Sequence, residues 1–307
     1  MKKISIVVPV YYNEQSLAPL FAELLKAERV LIEKGVEMEL IFVDDGSRDA
    51  SLSELLKIKG QKQDVKIIKL TRNFGSVRAS KTGFKFVTGD CFLILAADLQ
   101  DPPELIPQMV DKWLAGSKFV ICARTNRDDP LGTRIAAYIY YKLLTLFVVK
   151  DYPRGGFDLA LMDRAMLPYM QSSAKNINTP LFAYWLGFKP EVIFYKRQKR
   201  IHGKSRWNFS KKLKFFIDSI LGFSVVPIRL ISLLGLIVSI VSFVYGVVVI
   251  VSAIRGKIPV QGFPTLAALI SFLLGLVLLT LGIIGEYLWR IFDEINKSPE
   301  TVIDEIF

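Results

Sequence analysis

ISIVVPVYYNE, residues 4–14, is a run of mainly β-branched side chains that ends in polar residues. A short continuous apolar run bounded by polar or turn residues is typical of a strand that is buried on both faces. Three further apolar runs also end in polar or acidic residues: ELIFVDD at 39–45, VKIIKLTRN at 65–73 and CFLILAADLQD at 91–101. The chain therefore repeats one unit, a buried strand with polar side chains directly after it.

Segments with helical periodicity separate these strands. Ser16 is a predicted N-cap, apolar residues follow it at helical spacing, and Gly35 is the predicted stop. Further helices are expected from near residue 49, from about 76 to 87, and after Pro102. This alternation predicts an α/β domain with a mainly parallel sheet covered on both faces. Ligands of such sheets bind beyond the carboxyl ends of the strands, so the polar residues there predict one site.

The carboxyl-terminal part of the chain has a different composition. Residues 230–254 and 258–285 contain no charged side chain. Because about 20 apolar residues cross a membrane, we predict two transmembrane helices, at about 227–254 and 264–288. The alternative is a buried helical hairpin in a soluble protein.

Basic residues indicate an orientation. The net charge is +11, and nine lysines and arginines but no acidic residue lie between residues 196 and 214, just before the first span. The positive-inside rule then predicts an integral protein of the cytoplasmic membrane, with the amino-terminal domain and both termini in the cytoplasm. Residues 208–226 have apolar side chains on one helical face and lysines on another, which predicts a helix at the membrane surface. This basic run beside a span explains the charge better than nucleic-acid binding does, so no nucleic-acid partner is expected.

The two cysteines give information about the compartment. Cys91 and Cys122 both lie within apolar strand-like runs. We expect reduced, buried thiols in a reducing compartment rather than a disulfide.

The first chemical feature is DDGSRD at residues 44–49, directly after a strand. Carboxylates at that place can accept hydrogen bonds from a base edge or from ribose hydroxyls. A simple acidic turn is the alternative. No GxGxxG follows any strand, so a dinucleotide-binding fold is disfavoured.

The second feature is ADLQDPPE at residues 97–104. Asp98, Gln100 and Asp101 are hard oxygen ligands of the kind that Mg²⁺ and Mn²⁺ bind, usually together with substrate phosphates. We assign Asp98 to the metal, whereas Asp101 is expected to cap the helix that the prolines begin.

The third feature is the basic segment KRQKRIHGKSRW at residues 196–207. Gln198 stands where a phosphate-binding P-loop requires glycine, so an NTPase loop is excluded. Arginine, lysine and a hydroxyl beside glycine still suit a diphosphate or a lipid phosphate. Attraction to anionic lipid headgroups is the alternative, and the two are compatible.

Together VVPVYYNE, VDDGSRD, TRNFG, ADLQDPPE and RxxGKSRW, followed by two spans, resemble the inverting glycosyltransferases of family two. Within that family the chain resembles the polyprenyl-phosphate glycosyltransferases, the bactoprenol glucosyltransferases most closely and dolichyl-phosphate mannose synthase more distantly. The resemblance implies a GT-A catalytic domain at 1–207, the surface helix at 208–226, the membrane anchor at 227–290 and a cytoplasmic tail at 291–307. It also implies transfer of a hexose, glucose from UDP-glucose, onto undecaprenyl phosphate with inversion.

The resemblance implies roles for individual residues. The nucleotide sugar would be bound by Pro9, Tyr11, Glu14, Asp44, Asp45 and Arg72. A divalent metal, Mg²⁺ or Mn²⁺, would be held by Asp98 and Gln100, and the catalytic residues would be Asp98 and Asp158, the latter beside the acceptor. The phosphate or lipid phosphate would be bound by Arg200, Lys204, Ser205 and Arg206.

One position departs from the family pattern. Ala96 stands where the family often has a second aspartate, giving D-x-D before the metal, so the metal site has one carboxylate fewer. A non-catalytic, membrane-tethered nucleotide sensor is therefore kept as a second hypothesis. GDP-mannose, UDP-galactose and UDP-aminoarabinose are alternative donors, Asp158 is either a base or an orienting group, and homo-oligomerisation is left open. Two spans are too few for a processive polysaccharide synthase.

Overall fold

The computed structural model describes residues 1–125, 131–153, 155–175, 177–196, 209–255, 263–296 and 298–307. The chain divides into two compact units. The first unit consists of Met1–Ile220 and Ser298–Phe307, and the second is Leu221–Lys297.

In its described part, the first unit is built on one eight-stranded sheet with the order β7-β5-β6-β4-β1-β2-β3-β8. The strands are β1 Lys2–Val10, β2 Val36–Asp44, β3 Val65–Leu70, β4 Cys91–Ile94, β5 Phe119–Arg124, β6 Leu159–Asp163, β7 Glu191–Tyr195 and β8 Ile303–Ile306. The α/β fold predicted from the sequence is confirmed. The four strands that carry the quoted apolar runs, β1 to β4, are all parallel.

The sheet as a whole is mixed, because β6 and β8 run against their neighbours. The direction of β6 matters for the site. Since β6 is antiparallel to both β4 and β5, its first residue lies at the edge where those strands end. Asp158, just before β6, is thereby placed at the carboxyl-end edge of the sheet.

Helices cover the sheet and connect its strands. In the first unit they are α1 Glu14–Glu33, α2 Ser51–Gln61, α3 Ser76–Phe84, α4 Leu105–Leu114, α5 Leu131–Phe147, α6 Leu167–Gln171, α7 Thr179–Trp185 and α8 Phe209–Leu221, with a 3₁₀ turn at Arg164–Met166. Ser16 is predicted as the N-cap of the first helix, but Asn13 occupies that position and the helix begins at Glu14. Ser16 is buried inside it, and its hydroxyl donates to the Asn13 carbonyl. Gly35, with a φ of 72°, follows the helix end as predicted.

The core explains why the strands have apolar residues at consecutive positions. Ile6, Val7 and Val8 of β1 are all fully buried, because helices pack on both faces of the sheet. Cys91 and Cys122 are free and buried, as expected. Burial raises the pKa of both thiols, that of Cys122 to about 12, so both stay protonated and unreactive.

The last ten residues return to the first unit and form an edge strand that the sequence analysis did not predict. β8 pairs antiparallel with β3, and Ile67 and Phe307 exchange backbone hydrogen bonds of 3.1 and 2.9 Å. The segment predicted as a tail, 291–307, is thus divided, since residues 291–295 continue the preceding long helix and β8 joins the sheet.

The second unit contains the helices α9 Val226–Ile254 and α10 Phe263–Ile295. Within them, Val226–Tyr245 and Phe272–Ile295 are long and apolar enough to be candidate membrane spans. Large apolar side chains on both helices are exposed, for example Phe243 and Leu278. The two helices agree with the predicted spans at 227–254 and 264–288.

Candidate active site

The polar residues that follow the strands lie along one edge of the sheet, as the sequence predicts. The residues that follow β1, β2 and β3 are those predicted to bind the nucleotide. Val10 pairs with Asp44 at the end of these strands, and the Asp45 amide donates to the Val10 carbonyl at 2.8 Å. The predicted metal loop follows β4, and Asp158 lies next to it, before β6.

Asp44 has a buried carboxylate oxygen that needs a donor. Its Oδ1 accepts from the Ser47 amide at 3.1 Å. Its Oδ2 is buried, and no donor in the described part of the chain bonds to it. Burial raises the pKa of Asp44, although the bonds to Ser47 oppose this. Because an unsatisfied buried acceptor is costly, Asp44 fits a ligand that donates an N–H or O–H.

Asp45 holds the loop after β3. Its two oxygens accept from the Phe74 amide at 2.6 Å and the Gly75 amide at 2.9 Å. Burial raises the pKa of this carboxyl despite those bonds. Gly46 lies against the same loop, since a Cβ there would stand 2.6 Å from the Arg72 carbonyl carbon. Asp45 therefore stabilises the loop after β3. Its contact with a nucleotide stays a prediction.

The other predicted nucleotide residues border the same loops. The Glu14 carboxylate accepts from the Ala50 amide at 2.9 Å, which joins the starts of α1 and α2. Pro9 lies in β1, beside Val43 of β2, and the Tyr11 amide donates to Asn13 at 2.9 Å. The exposed Arg72 guanidinium lies 4.3 Å from the centre of the Phe74 ring.

The predicted metal loop is tightly turned. Asp98 Oδ1 accepts from the Gln100 amide at 3.2 Å, and Leu99 between them has a φ of 58°. Among the described residues, no group of three or more His, Cys, Asp or Glu side chains could hold an ion. Asp98 and Gln100, both half-buried, fit an ion that takes its remaining ligands from substrate phosphates, as Mg²⁺ commonly does.

Asp101 does not cap a helix, so that prediction was wrong. α4 begins at Leu105, after the proline pair, and Glu104 occupies its N-cap position. Asp101 is buried instead, and its Oδ1 accepts from the Tyr195 hydroxyl at 2.8 Å. The two prolines separate Asp101 from the helix start, and the side chain turns toward the end of β7.

Asp158 is held by two residues that the sequence analysis missed. Arg124 Nε donates to its Oδ2 at 2.6 Å and Arg124 Nη2 to its Oδ1 at 2.5 Å, while Tyr195 Oη lies 2.8 Å from Oδ2. Burial acts to lower the pKa of Arg124, but hydrogen bonds and the charge of Asp158 raise it above its usual value. Arg124 and Tyr195 are the last residues of β5 and β7, so the strand-end rule could have identified them.

The predicted phosphate-binding residues Arg200, Lys204, Ser205 and Arg206 lie outside the described residues. Along the described edge the order is therefore Arg124, Tyr195 and Asp158 at one end, the Asp98 loop in the middle, and the Asp44 and Asp45 loops at the other end. The carboxyl-end edge of the sheet thus has the acidic Asp98 loop in its middle. The buried acceptor Asp44 lies on one side of this loop, and the Arg124–Asp158 pair lies on the other.

Comparison with known proteins gives a family match. The description "Glycosyl transferase family 2" matches residues 5–173, which is more than half of the chain. A bactoprenol glucosyl transferase of Shigella phage SfII is 33% identical, covering 98% of this chain and 97% of that protein.

Two further relatives align over the whole chain. A prophage bactoprenol glucosyl transferase homolog of Escherichia coli K12 is 33% identical, over 99% of each chain. A glycosyltransferase of Synechocystis, named as uncharacterised, is 33% identical, covering 99% of this chain and 96% of that protein. Both alignments include the two candidate spans.

Proposed function

Because the chain belongs to glycosyl transferase family 2 and is a glycosyltransferase, we propose that it transfers glucose from UDP-glucose to a polyprenyl phosphate with inversion. The observation that carries the proposal is the order of groups along one sheet edge: the unsatisfied Asp44 oxygen, the Asp98 loop and the Arg124–Asp158 pair. Relatives named for bactoprenol and glucose, which align through both candidate spans, support the acceptor and the sugar.

The donor nucleotide occupies the Asp44 side of the edge in this proposal. Asp44 Oδ2 accepts an N–H of the base or a ribose hydroxyl, which satisfies an oxygen that has no donor among the residues that the structure describes. Asp45 keeps the loop of Arg72 in place through the Phe74 and Gly75 amides. Arg72 is exposed on that loop and available to the nucleotide sugar.

The middle of the edge suits the donor diphosphate. Asp98 and Gln100 would hold Mg²⁺ or Mn²⁺, which when bound neutralises negative charge on the departing diphosphate. With alanine at position 96, the ion depends more on diphosphate oxygens than in a D-x-D site. Asp98 therefore contributes mainly while the donor is bound.

The acceptor phosphate attacks from the Asp158 side. The second pKa of a phosphate monoester is about 6, so at neutral pH this nucleophile is largely a dianion. Its oxygen forms a bond to the anomeric carbon while the bond to the diphosphate breaks on the opposite face, giving inversion. A dianion needs little help from a base. Since Arg124 bonds to both oxygens of Asp158, we assign Asp158 as an orienting group.

Membrane attachment follows from the acceptor, because a polyprenyl phosphate stays in the bilayer. The two candidate spans supply the anchor. The excess of lysine and arginine at 196–214 supports a cytoplasmic catalytic domain with both termini on that side. The basic segment at 196–207 would add cations for the acceptor or donor phosphate.

A donor screen tests this function. Purified protein in lipid is incubated with undecaprenyl phosphate and labelled UDP-glucose, UDP-galactose, UDP-aminoarabinose or GDP-mannose. We expect label in the organic-extractable lipid with UDP-glucose, and a β-linked product by NMR. Transfer of another sugar would contradict the donor assignment. Nucleotide binding without transfer from any donor would instead support the sensor hypothesis.

Asp98→Ala tests the metal loop. We expect turnover to fall by about 100-fold or more, because the group that anchors the ion at the leaving diphosphate is lost. Asp111→Ala is the control, because Asp111 is exposed and forms a surface ion pair with Lys34. Wild-type turnover in Asp98→Ala would refute the ligand role.

A further inference from the structure

We propose that Tyr195 is a positioning residue whose hydroxyl couples the metal loop to the acceptor-side carboxylate. This inference rests on the proposed function, and it concerns a residue that neither the motifs nor the family resemblance singled out. The hydroxyl oxygen lies 2.8 Å from Asp101 Oδ1 and 2.8 Å from Asp158 Oδ2.

Three separate parts of the chain meet at this hydroxyl. Tyr195 is the last residue of β7, Asp101 lies in the loop after β4, and Asp158 precedes β6. β6 lies between β4 and β5 in the sheet, and β7 lies beyond β5, so the phenol reaches across the strand ends. Its backbone is fixed, because the Tyr195 carbonyl accepts from the Thr125 amide at 3.0 Å. The buried ring therefore holds the hydroxyl at a defined place.

The Tyr195 hydroxyl lies between two carboxylates and acts as a hydrogen-bond donor. A phenol has one proton and can donate to only one carboxylate at a time. Burial, followed by the charges of Asp101 and Asp158, raises the pKa of Tyr195, so the hydroxyl stays a donor. Without the hydroxyl, Asp101 Oδ1 and Asp158 Oδ2 would lose the hydrogen-bonding group that they share. The Arg124–Asp158 pair, joined by two hydrogen bonds, would then lose its link to Asp101 in the loop after β4.

The bridge has a consequence for catalysis. Asp101 is three residues from Asp98, so it belongs to the loop assigned to the donor diphosphate. Asp158 and Arg124 belong to the acceptor side. The hydroxyl thus fixes the separation of the two reactants, and small errors in such a separation cost large factors in rate. Loss of the hydroxyl should lower kcat while leaving donor binding intact.

Tyr195→Phe keeps the ring and removes only the bridge. We expect kcat for transfer to polyprenyl phosphate to fall by about 10- to 100-fold. The KM for the nucleotide sugar should stay at its wild-type value, which separates positioning of the reactants from donor binding. Tyr184→Phe is the matched control, because it removes a hydroxyl that donates to the Asp151 carbonyl at 2.6 Å. Wild-type kcat in Tyr195→Phe would overturn the proposal.

A double-mutant cycle identifies the route of the effect. If the hydroxyl acts through Asp158, Tyr195→Phe should lower kcat no further in an Asp158→Asn background. Fully additive losses would overturn the coupling. Failure of the proposed function would show differently, as the absence of labelled lipid with the wild-type protein, whereas failure of this inference appears only in the variants.

Discussion

Asp44 illustrates how a single buried atom indicates a ligand. Its Oδ2 has no donor within the described residues, whereas both carboxylate oxygens of its neighbour Asp45 accept hydrogen bonds from backbone amides. The sequence places two aspartates side by side with nothing to distinguish them. The structure distinguishes them: Asp45 binds two amides of the loop after β3, whereas Asp44 keeps one carboxylate oxygen for the proposed contact with the donor.

Asp44→Asn should weaken donor binding and stabilise the unliganded protein. The amide oxygen would accept from the Ser47 amide, which leaves an NH₂ group where the ligand also donates. We expect an affinity loss of about 10- to 100-fold, as for a hydrogen bond to a charged group. Titration calorimetry with UDP-glucose measures it. Asp90→Asn, which changes a half-buried carboxylate bonded to the Lys3 amide, is the control and should bind the donor with wild-type affinity.

The stability effect of this substitution should depend on pH. The folded pKa of Asp44 is raised, so the cost of its charge is present at neutral pH. That cost disappears as pH falls below the ordinary carboxyl pKa of about 4. The melting temperature of Asp44→Asn should therefore exceed that of the wild type at pH 7, and the difference should shrink with acidification. A lower melting temperature at pH 7 would contradict this account.

At the scale of elements, the carboxyl-terminal segment 298–307 belongs to the catalytic domain. β8 extends the sheet beside β3, and Thr301 bonds to Thr82 of α3 at 2.7 Å. The buried Lys81 ammonium donates to Glu300 and to the Ser173 carbonyl, both at 2.6 Å. α3 follows the Arg72 loop, so this contact supports the nucleotide side of the site.

Lys81→Met should destabilise the first unit. The substitution keeps the aliphatic length of the side chain. It leaves the Glu300 carboxylate and the Ser173 carbonyl without the ammonium group that donates to them. We expect a loss of about 3 kcal/mol, as for a broken buried ion pair. Lys57→Met, which breaks the exposed pair with Glu54, should cost less than about 0.5 kcal/mol. Denaturant unfolding measures both values, and equal losses would show that the Lys81 pair contributes no more than a surface pair.

At the scale of the whole molecule, the lysines before the first span should bring lipid acceptor and enzyme together. Changing Lys211, Lys212 and Lys214 to glutamate replaces attraction to anionic headgroups by repulsion, at roughly 1 kcal/mol per basic residue. We expect kcat/KM for the lipid acceptor in anionic liposomes to fall by at least about tenfold, with unchanged donor affinity.

The control for this charge reversal changes Lys26, Lys57 and Lys189, which are exposed elsewhere on the first unit. It alters net charge by the same amount and should keep wild-type kcat/KM. Equal losses of lipid transfer and donor affinity in the first variant would contradict a membrane role for these lysines.

Local periodicity or composition encodes the strands β1 to β4, the two long apolar helices and the acidic loops, so all of these could be predicted from the sequence. Asp44, Asp98 and Asp158 are likewise predicted site residues, Asp158 on the family resemblance. The antiparallel directions of β6 and β8, and the contacts of Tyr195 and Arg124 with Asp158, could be seen in the folded chain alone. The physical reason is that strand direction and side-chain pairing depend on residues far apart in the chain, whose contacts no local pattern contains.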